Sequence, residues 1–133
     1  MERVSEGTID DYLRAARDGL DPSPSYRNYF AWLMSQHGPK LEVFLSRAEG
    51  EPAGTGLLQY FGEAATFMSG FVRPKFRGLG AYQALVKFRL GKLRERKVPY
   101  AVVLSKAKTS APILMRNGFG KVCEFRTLER VVR

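Results

Sequence analysis

Three consecutive segments of this 133-residue chain alternate apolar and polar residues, and the helix-then-strand pattern after them leaves few folds open. "LEVFLSRA" (41–48), "AGTGLLQYF" (53–61) and "ATFMSGFV" (65–72) have the period of two that belongs to strands. Only "EGEP" (49–52) and "GE" (62–63) separate them, so they must turn as tight hairpins into an antiparallel meander. A helical pattern comes next in "LGAYQALVKFRLGKLRERK", with Tyr82, Leu85, Val86, Leu90 and Leu93 on its apolar face. "PYAVVLS" (99–105) then reads as a short apolar strand, buried on both faces. Strand, helix, strand calls for a parallel crossover, so the expected sheet is mixed and mostly antiparallel.

The flanks add helices. Thr8 or Asp10 can cap a first helix carrying Ile9, Leu13 and Ala16, stopped at Gly19. After "DPSPS", a second helix puts Tyr26, Tyr29, Phe30, Leu33 and Met34 on one face, with Tyr29 and Trp32 assigned to the core, and ends at Gly38-Pro39. "TSAPILMRNGF" reads as a short helix capped by Thr109 or Ser110 and ended by Gly118. "GKVCEFRTLERVV" alternates and is expected to close the chain as a strand, with Cys123 a small core or interface residue. The order is ααβββαβαβ: one α/β (α+β) domain over residues 1–133. Gly70, inside the third strand, is the expected site of a bulge.

With 44% hydrophobic residues the chain can bury a core, and no apolar run reaches the length of a membrane span. The acidic start has no signal-peptide core, and a single cysteine allows no intrachain disulfide. Both favour a cytoplasmic protein. The formal net charge of +9 is unevenly spread. Residues 1–21 hold six acids and three bases, whereas 73–97 hold nine Lys/Arg and one acid, Glu95. That field points to a polyanionic partner: a phosphorylated ligand, nucleic acid or an acidic membrane surface. Nucleic acid ranks last, because the chain has no recognised motif and no aromatic–basic interleaving of the kind that stacks bases.

The residues Arg77-Gly78-Leu79-Gly80-Ala81-Tyr82 lie where the third strand hands over to the helix. The first turn of a helix has free N–H groups and the positive end of the helix dipole. Glycines there let the backbone approach a ligand closely. Such a junction suits phosphate or pyrophosphate. It is not a Walker A loop, which needs G-x-x-x-x-G-K-S/T. A Rossmann fingerprint would need glycine where Gln83 stands and an acid about 20 residues on, where 98–105 has none.

"FVRPKFRGLGAYQALV" resembles the acyl-CoA-binding motif of the GNAT family of N-acetyltransferases, a V-x-P-x-F/Y strand end followed by Q/R-x-x-G-x-G/A. Arg77 and Gly80 match the first and fourth positions of that loop, and Tyr82 stands at the sixth, where Gly or Ala is usual. "SAPILMRNGF" (110–119) is similar to the family's helix ending in "GF", and the element order agrees from about Thr8 onward. The resemblance implies a GNAT-type fold in which the strand before the loop splays from its neighbour at a bulge. It implies acetyl-CoA or CoA as cosubstrate in that V. The backbone of Phe71, Val72 and Arg73 would pair with pantetheine, and one of those amides would polarise the thioester carbonyl. The amides of Arg77, Gly78, Leu79, Gly80, Ala81 and Tyr82 would hold the pyrophosphate. The implied activity is transfer of an acyl group, acetyl first of all, to a primary amine of a small molecule or peptide by direct attack.

Leu114 stands where the family often has a tyrosine acid, and Ala107 where it often has an asparagine. Ser105 and Tyr82 are the substitute proton donors. Glu63 is the first candidate for general base, through water, and Glu124 the second. Tyr26 is a candidate for lining an acceptor cleft, and the acids Asp10, Asp11 and Asp18 would favour a cationic amine. His37, at a helix end, suits the helix dipole. The departures also support a second reading, a non-catalytic acyl-CoA-binding or assembly domain. The family usually starts with a strand and ends with a two-stranded hairpin. Here "ERVS" and one closing segment stand in their place, which predicts exposed sheet edges covered by a homodimer or by a second copy in a larger parent.

Overall fold

β2 (Leu41–Ala48), β3 (Glu51–Phe61) and β4 (Ala64–Val72) form the antiparallel meander in the computed structural model, which describes residues 1–132. The turns hold two residues each. Glu49, Gly50 and Gly62 take φ of 53°, 80° and 55°, the positive values that match the twist of a hairpin. β5 (Tyr100–Val103) joins β4 in parallel, and β1 (Glu2–Arg3) lies antiparallel to β2. The order across the sheet is the order along the chain. "ERVS" therefore does supply a first strand, two residues long.

Alternation sends side chains to the two faces, and helices cover both. On one face Ile9, Tyr12, Leu13 and Ala15 of α1 (Ile9–Ala16) and Phe30 of α2 (Pro24–His37) pack on Leu41, Val43, Leu45 and Leu57. On the other, Val86 and Leu93 of α3 (Ala81–Glu95) and Leu114 of α4 (Ser110–Arg116) pack on Phe44, Leu58, Ala65 and Phe67. α2 starts where Ser23 Oγ accepts the N–H of Tyr26 at 3.2 Å, with Pro24 at the first helical position. No helix among the described residues is long and apolar enough to cross a membrane.

Three expectations need correction. Tyr29 and Trp32 are not core: they stay 54% and 55% exposed, because α1 already covers the strands and α2 buries only Phe30. β5 is not buried on both faces; Tyr100 and Val102 are exposed on an edge with no further strand beyond it. The segment 120–132 is not a strand, so the order is βααβββαβα. Val122 and Leu128 are 95% and 89% exposed, and Cys123 is exposed rather than in the core. An alternating pattern says which side chains share a face. It does not supply an edge to pair with.

The far end of α3 is fastened by an acid inside the sheet. Glu42 is 3% exposed; it accepts from Arg96 Nη2 at 2.9 Å and from the Tyr60 hydroxyl at 2.6 Å. Removing the cation leaves a buried carboxylate, which is strongly destabilising. Arg3 at 3.9 Å softens the loss. Arg96→Met is expected to lower stability by roughly 2–3 kcal/mol in urea unfolding. A change below roughly 0.5 kcal/mol would mean that Tyr60 and Arg3 suffice.

Candidate acyl-CoA site

The site is built on one irregularity in β4. Leu57 pairs with Met68 and Thr55 with Phe71, so Ser69 and Gly70 face the single residue Gly56. This is the bulge that Gly70 signals. Ser69 carries the strain, with φ of 49°. Side chains reach the carbonyls at the bulge. Thr55 Oγ1 donates to Ser69 O at 2.8 Å, and Arg89 Nη1 lies 3.3 Å from Met68 O and 3.4 Å from Leu57 O.

In the sequence Arg89 is one of several basic residues of α3, yet it is only 1% exposed. It sits at helical spacing from Leu85, Val86 and Leu93, which is the signal that could have found it. Its guanidinium lies 4.4 Å over the Phe67 ring, with no carboxylate among its hydrogen-bond or ion-pair partners in the described residues. Burial pulls its pKa down to about 10, and Tyr82 and Tyr12 partly oppose the shift. Gly56 and Gly70 make room for it: a Cβ on Gly70 would stand 3.0 Å from Arg89 Nη2 and 3.2 Å from the Tyr82 ring.

Beyond the bulge the two last strands part. β5 pairs with β4 only from Ala64/Tyr100 to Phe67/Val103, so β4 from Met68 to Val72 has an open edge. The N–H of Arg73 is donated to Ala53 O at 2.9 Å, toward β3. Alternation then turns the peptide of Val72 to the open side and that of Phe71 back to β3. Val72 O agrees with that direction by accepting Arg77 Nε at 2.8 Å. The Arg77 guanidinium also covers the Phe71 ring at 5.3 Å.

The loop comes at once after the strand. Gly78 and Gly80 take φ of 81° and 75°, and a Cβ on either would meet nothing within 4 Å. Gly80 caps α3, whose first internal acceptor serves Ala84. The N–H of Arg77, expected to hold pyrophosphate, is instead donated to Pro74 O at 3.2 Å, whereas the N–H groups from Gly78 to Gln83 have no acceptor among the described residues. Six free amides, two glycines open to solvent and an unpaired strand edge fit an acyl-CoA: pyrophosphate to the amides, pantetheine along β4.

On the α1–α2 side of the bulge lies a cavity of about 270 Å³, walled by Tyr12, Tyr26, Phe30 and Phe71 with Thr55 and Ser69. Tyr26 is the one wall that the sequence suggests; Tyr12 and Ser69 are not legible there. Tyr12 is 3% exposed, and burial pushes its phenol up to about 12. The acids of the first helix are already engaged. Asp10 pairs with Arg27, Asp11 with Arg47 and Arg14, and Asp18 with Arg73.

The other anticipated side chains scatter. Glu63 is exposed in the β3–β4 turn, on the order of 25 Å along the strand from Val72. Glu124 is on the exposed tail, paired with Lys121. Ser105 is exposed two residues past the last β4–β5 pair, at the opening of the V. Leu114 is buried in the core. Arg73 sends its side chain away from the loop, to Asp18 at 3.3 Å and Pro52 O at 2.9 Å.

A mixed sheet splayed at a bulge, with a glycine cradle at the next helix, defines the class of acyl-CoA-dependent acetyltransferases. The chain belongs to the acetyltransferase (GNAT) family, whose model matches residues 6–119. Acetyltransferases of this family use acetyl-CoA or CoA as cosubstrate. A search of curated proteins finds no sequence match. Solved structures share the fold. A predicted acetyltransferase from Clostridium acetobutylicum, solved with acetyl-CoA, is 12% identical with a TM-score of 0.73, over 96% of this chain and 94% of the other. An acetyltransferase of Trypanosoma brucei is 17% identical with a TM-score of 0.76, over 97% of each chain. The ribosomal-protein-S18-alanine N-acetyltransferase of Escherichia coli is 18% identical with a TM-score of 0.74, over 92% of this chain and 77% of that one.

Proposed function

We propose that the protein transfers the acetyl group of acetyl-CoA to a primary amine by direct attack at the bulge of β4. The observation that carries this reading is the open β4 edge running into six unpaired amides. The amides of Gly78 to Gln83 bind pyrophosphate. The backbone of β4 positions the thioester, and the N–H of Val72 is the donor available to polarise its carbonyl. Bound acetyl-CoA supplies an activated acyl group with a thiolate leaving group. A nitrogen held in the cavity forms the N–C bond as the C–S bond breaks; its proton passes, net, to the departing sulfur. The Ser105 hydroxyl, just past the end of β5, is the candidate proton donor to the sulfur. Most of the rate arises from orientation and carbonyl polarisation. Thiol release with acetyl-CoA and a panel of primary amines tests it. CoA binding without turnover of any amine would leave the second reading, a binding domain, which the buried Leu114 favours.

We also propose a homodimer, in which segment 121–132 of one copy lies along the bare β5 edge of the other. Exposed Tyr100, Val102 and Leu104 on that edge match an exposed tail with Val122, Phe125 and Leu128. Light scattering is expected to read about twice 15.0 kDa. Deletion from Lys121 onward should give a folded monomer, since the tail joins no strand of its own chain. A native chain that scatters as a monomer would end the proposal.

A further inference from the structure

We infer that the acceptor is an arylalkyl primary amine, received in the uncharged aromatic cavity on the α1–α2 side of the bulge. This narrows the acetyl-transfer reading and rests on it. No Asp, Glu, Lys, Arg or His lines the cavity. Its walls are the rings of Tyr12, Tyr26, Phe30 and Phe71; the Tyr12 and Phe30 rings stack at 5.0 Å. The polar groups in the lining are uncharged hydroxyls, those of Tyr12, Tyr26, Ser69 and Thr55, and the Thr55 hydroxyl is already donated to Ser69 O.

Charge argues against a polycationic acceptor. Polyamines and lysine-rich peptides need carboxylates, and the acids nearest the cavity are tied to arginines. The one buried charge close by is a cation, Arg89, whose field reaches Tyr12. The whole chain carries +9, which repels polycations before contact.

Size and shape argue for a ring. A cavity of roughly 150 Å³ accepts benzene. About 270 Å³ leaves space for a ring with a short alkyl chain among aromatic walls.

The same walls explain how an acceptor can react without a side-chain base. A primary alkylamine in water holds its proton up to about pH 10. Uncharged surroundings beside a cation disfavour the charged form, so the ammonium sheds its proton to water as it enters. The neutral nitrogen then forms the bond to the acyl carbon while the C–S bond breaks; the nitrogen gives up a second proton to solvent, and the sulfur takes one up.

The test is calorimetry on the full chain saturated with CoA, titrated with 2-phenylethylamine, spermidine or a lysine peptide. Phenylethylamine is expected to bind at least tenfold more tightly than the other two. Ala16→Phe, at the exposed mouth, should weaken it at least tenfold while CoA affinity stays within twofold. Equal or tighter binding of spermidine or the peptide overturns the inference, as does an Ala16→Phe chain that binds phenylethylamine normally. In both cases CoA binding persists and the acetyl-transfer reading stands. Loss of CoA binding by the native chain would sink that reading, and this one with it.

Discussion

Gly80→Asp is expected to abolish CoA binding, reducing affinity at least 100-fold in titration calorimetry. Two effects act together. Gly80 is left-handed at φ 75°, where a side chain costs about 1–2 kcal/mol. The new carboxylate also points into the open space at the start of α3, and it competes there for the amides that would hold pyrophosphate. Gly50→Asp separates the two. Gly50 has φ 80° and equally free surroundings, but lies in the β2–β3 turn. It should carry the same strain and bind CoA normally. Unchanged affinity in Gly80→Asp would remove the loop from the site.

Arg89→Met is expected to reduce turnover by about 10² while leaving stability within roughly 1 kcal/mol. Burial holds its pKa down at about 10, below the usual arginine value, a cost to the fold on the order of 3 kcal/mol. The folded chain binds the proton less tightly than the unfolded one, so the cost is full below about pH 10 and fades as pH rises above it. Methionine removes that cost but also takes the Arg89 Nη1 donor from Met68 O and Leu57 O, at about 1–3 kcal/mol for the two together. The stability terms nearly cancel. The bulge, however, loses what fixes the two carbonyls beside Ser69, and with them the aim of the next amides. Parallel loss of activity and stability in urea would show that Arg89 merely holds the fold.

Most of the architecture was legible because it rests on period and turn chemistry. Alternation set β2 to β4, and the glycine turns set their pairing. Gly70 marked the bulge because few other reasons put glycine in mid-strand. The loop was legible because an anion site at a helix start needs nothing but backbone and glycines. What escaped depends on distance between segments. The cavity draws Tyr12, Tyr26 and Phe71 from three elements, and no spacing along the chain brings them together. Glu63 looked near the chemistry because it adjoins β4, but it adjoins the wrong end. Arg89 escaped because arginine on a helix is normally solvated; two strand glycines, Gly56 and Gly70, made the space for it. The tail escaped because a pattern that suits a strand still needs a partner.

Arg73 occupies a place between the two halves of the site. Its main chain ends β4, and its guanidinium holds Asp18 in the turn after α1 and packs where a side chain on Gly19 would collide, at 2.6 Å. The wall proposed for the amine is therefore tied to the strand proposed for acyl-CoA. The tie is electrostatic and its acid is 56% exposed, so ionic strength sets how stiffly the halves are joined.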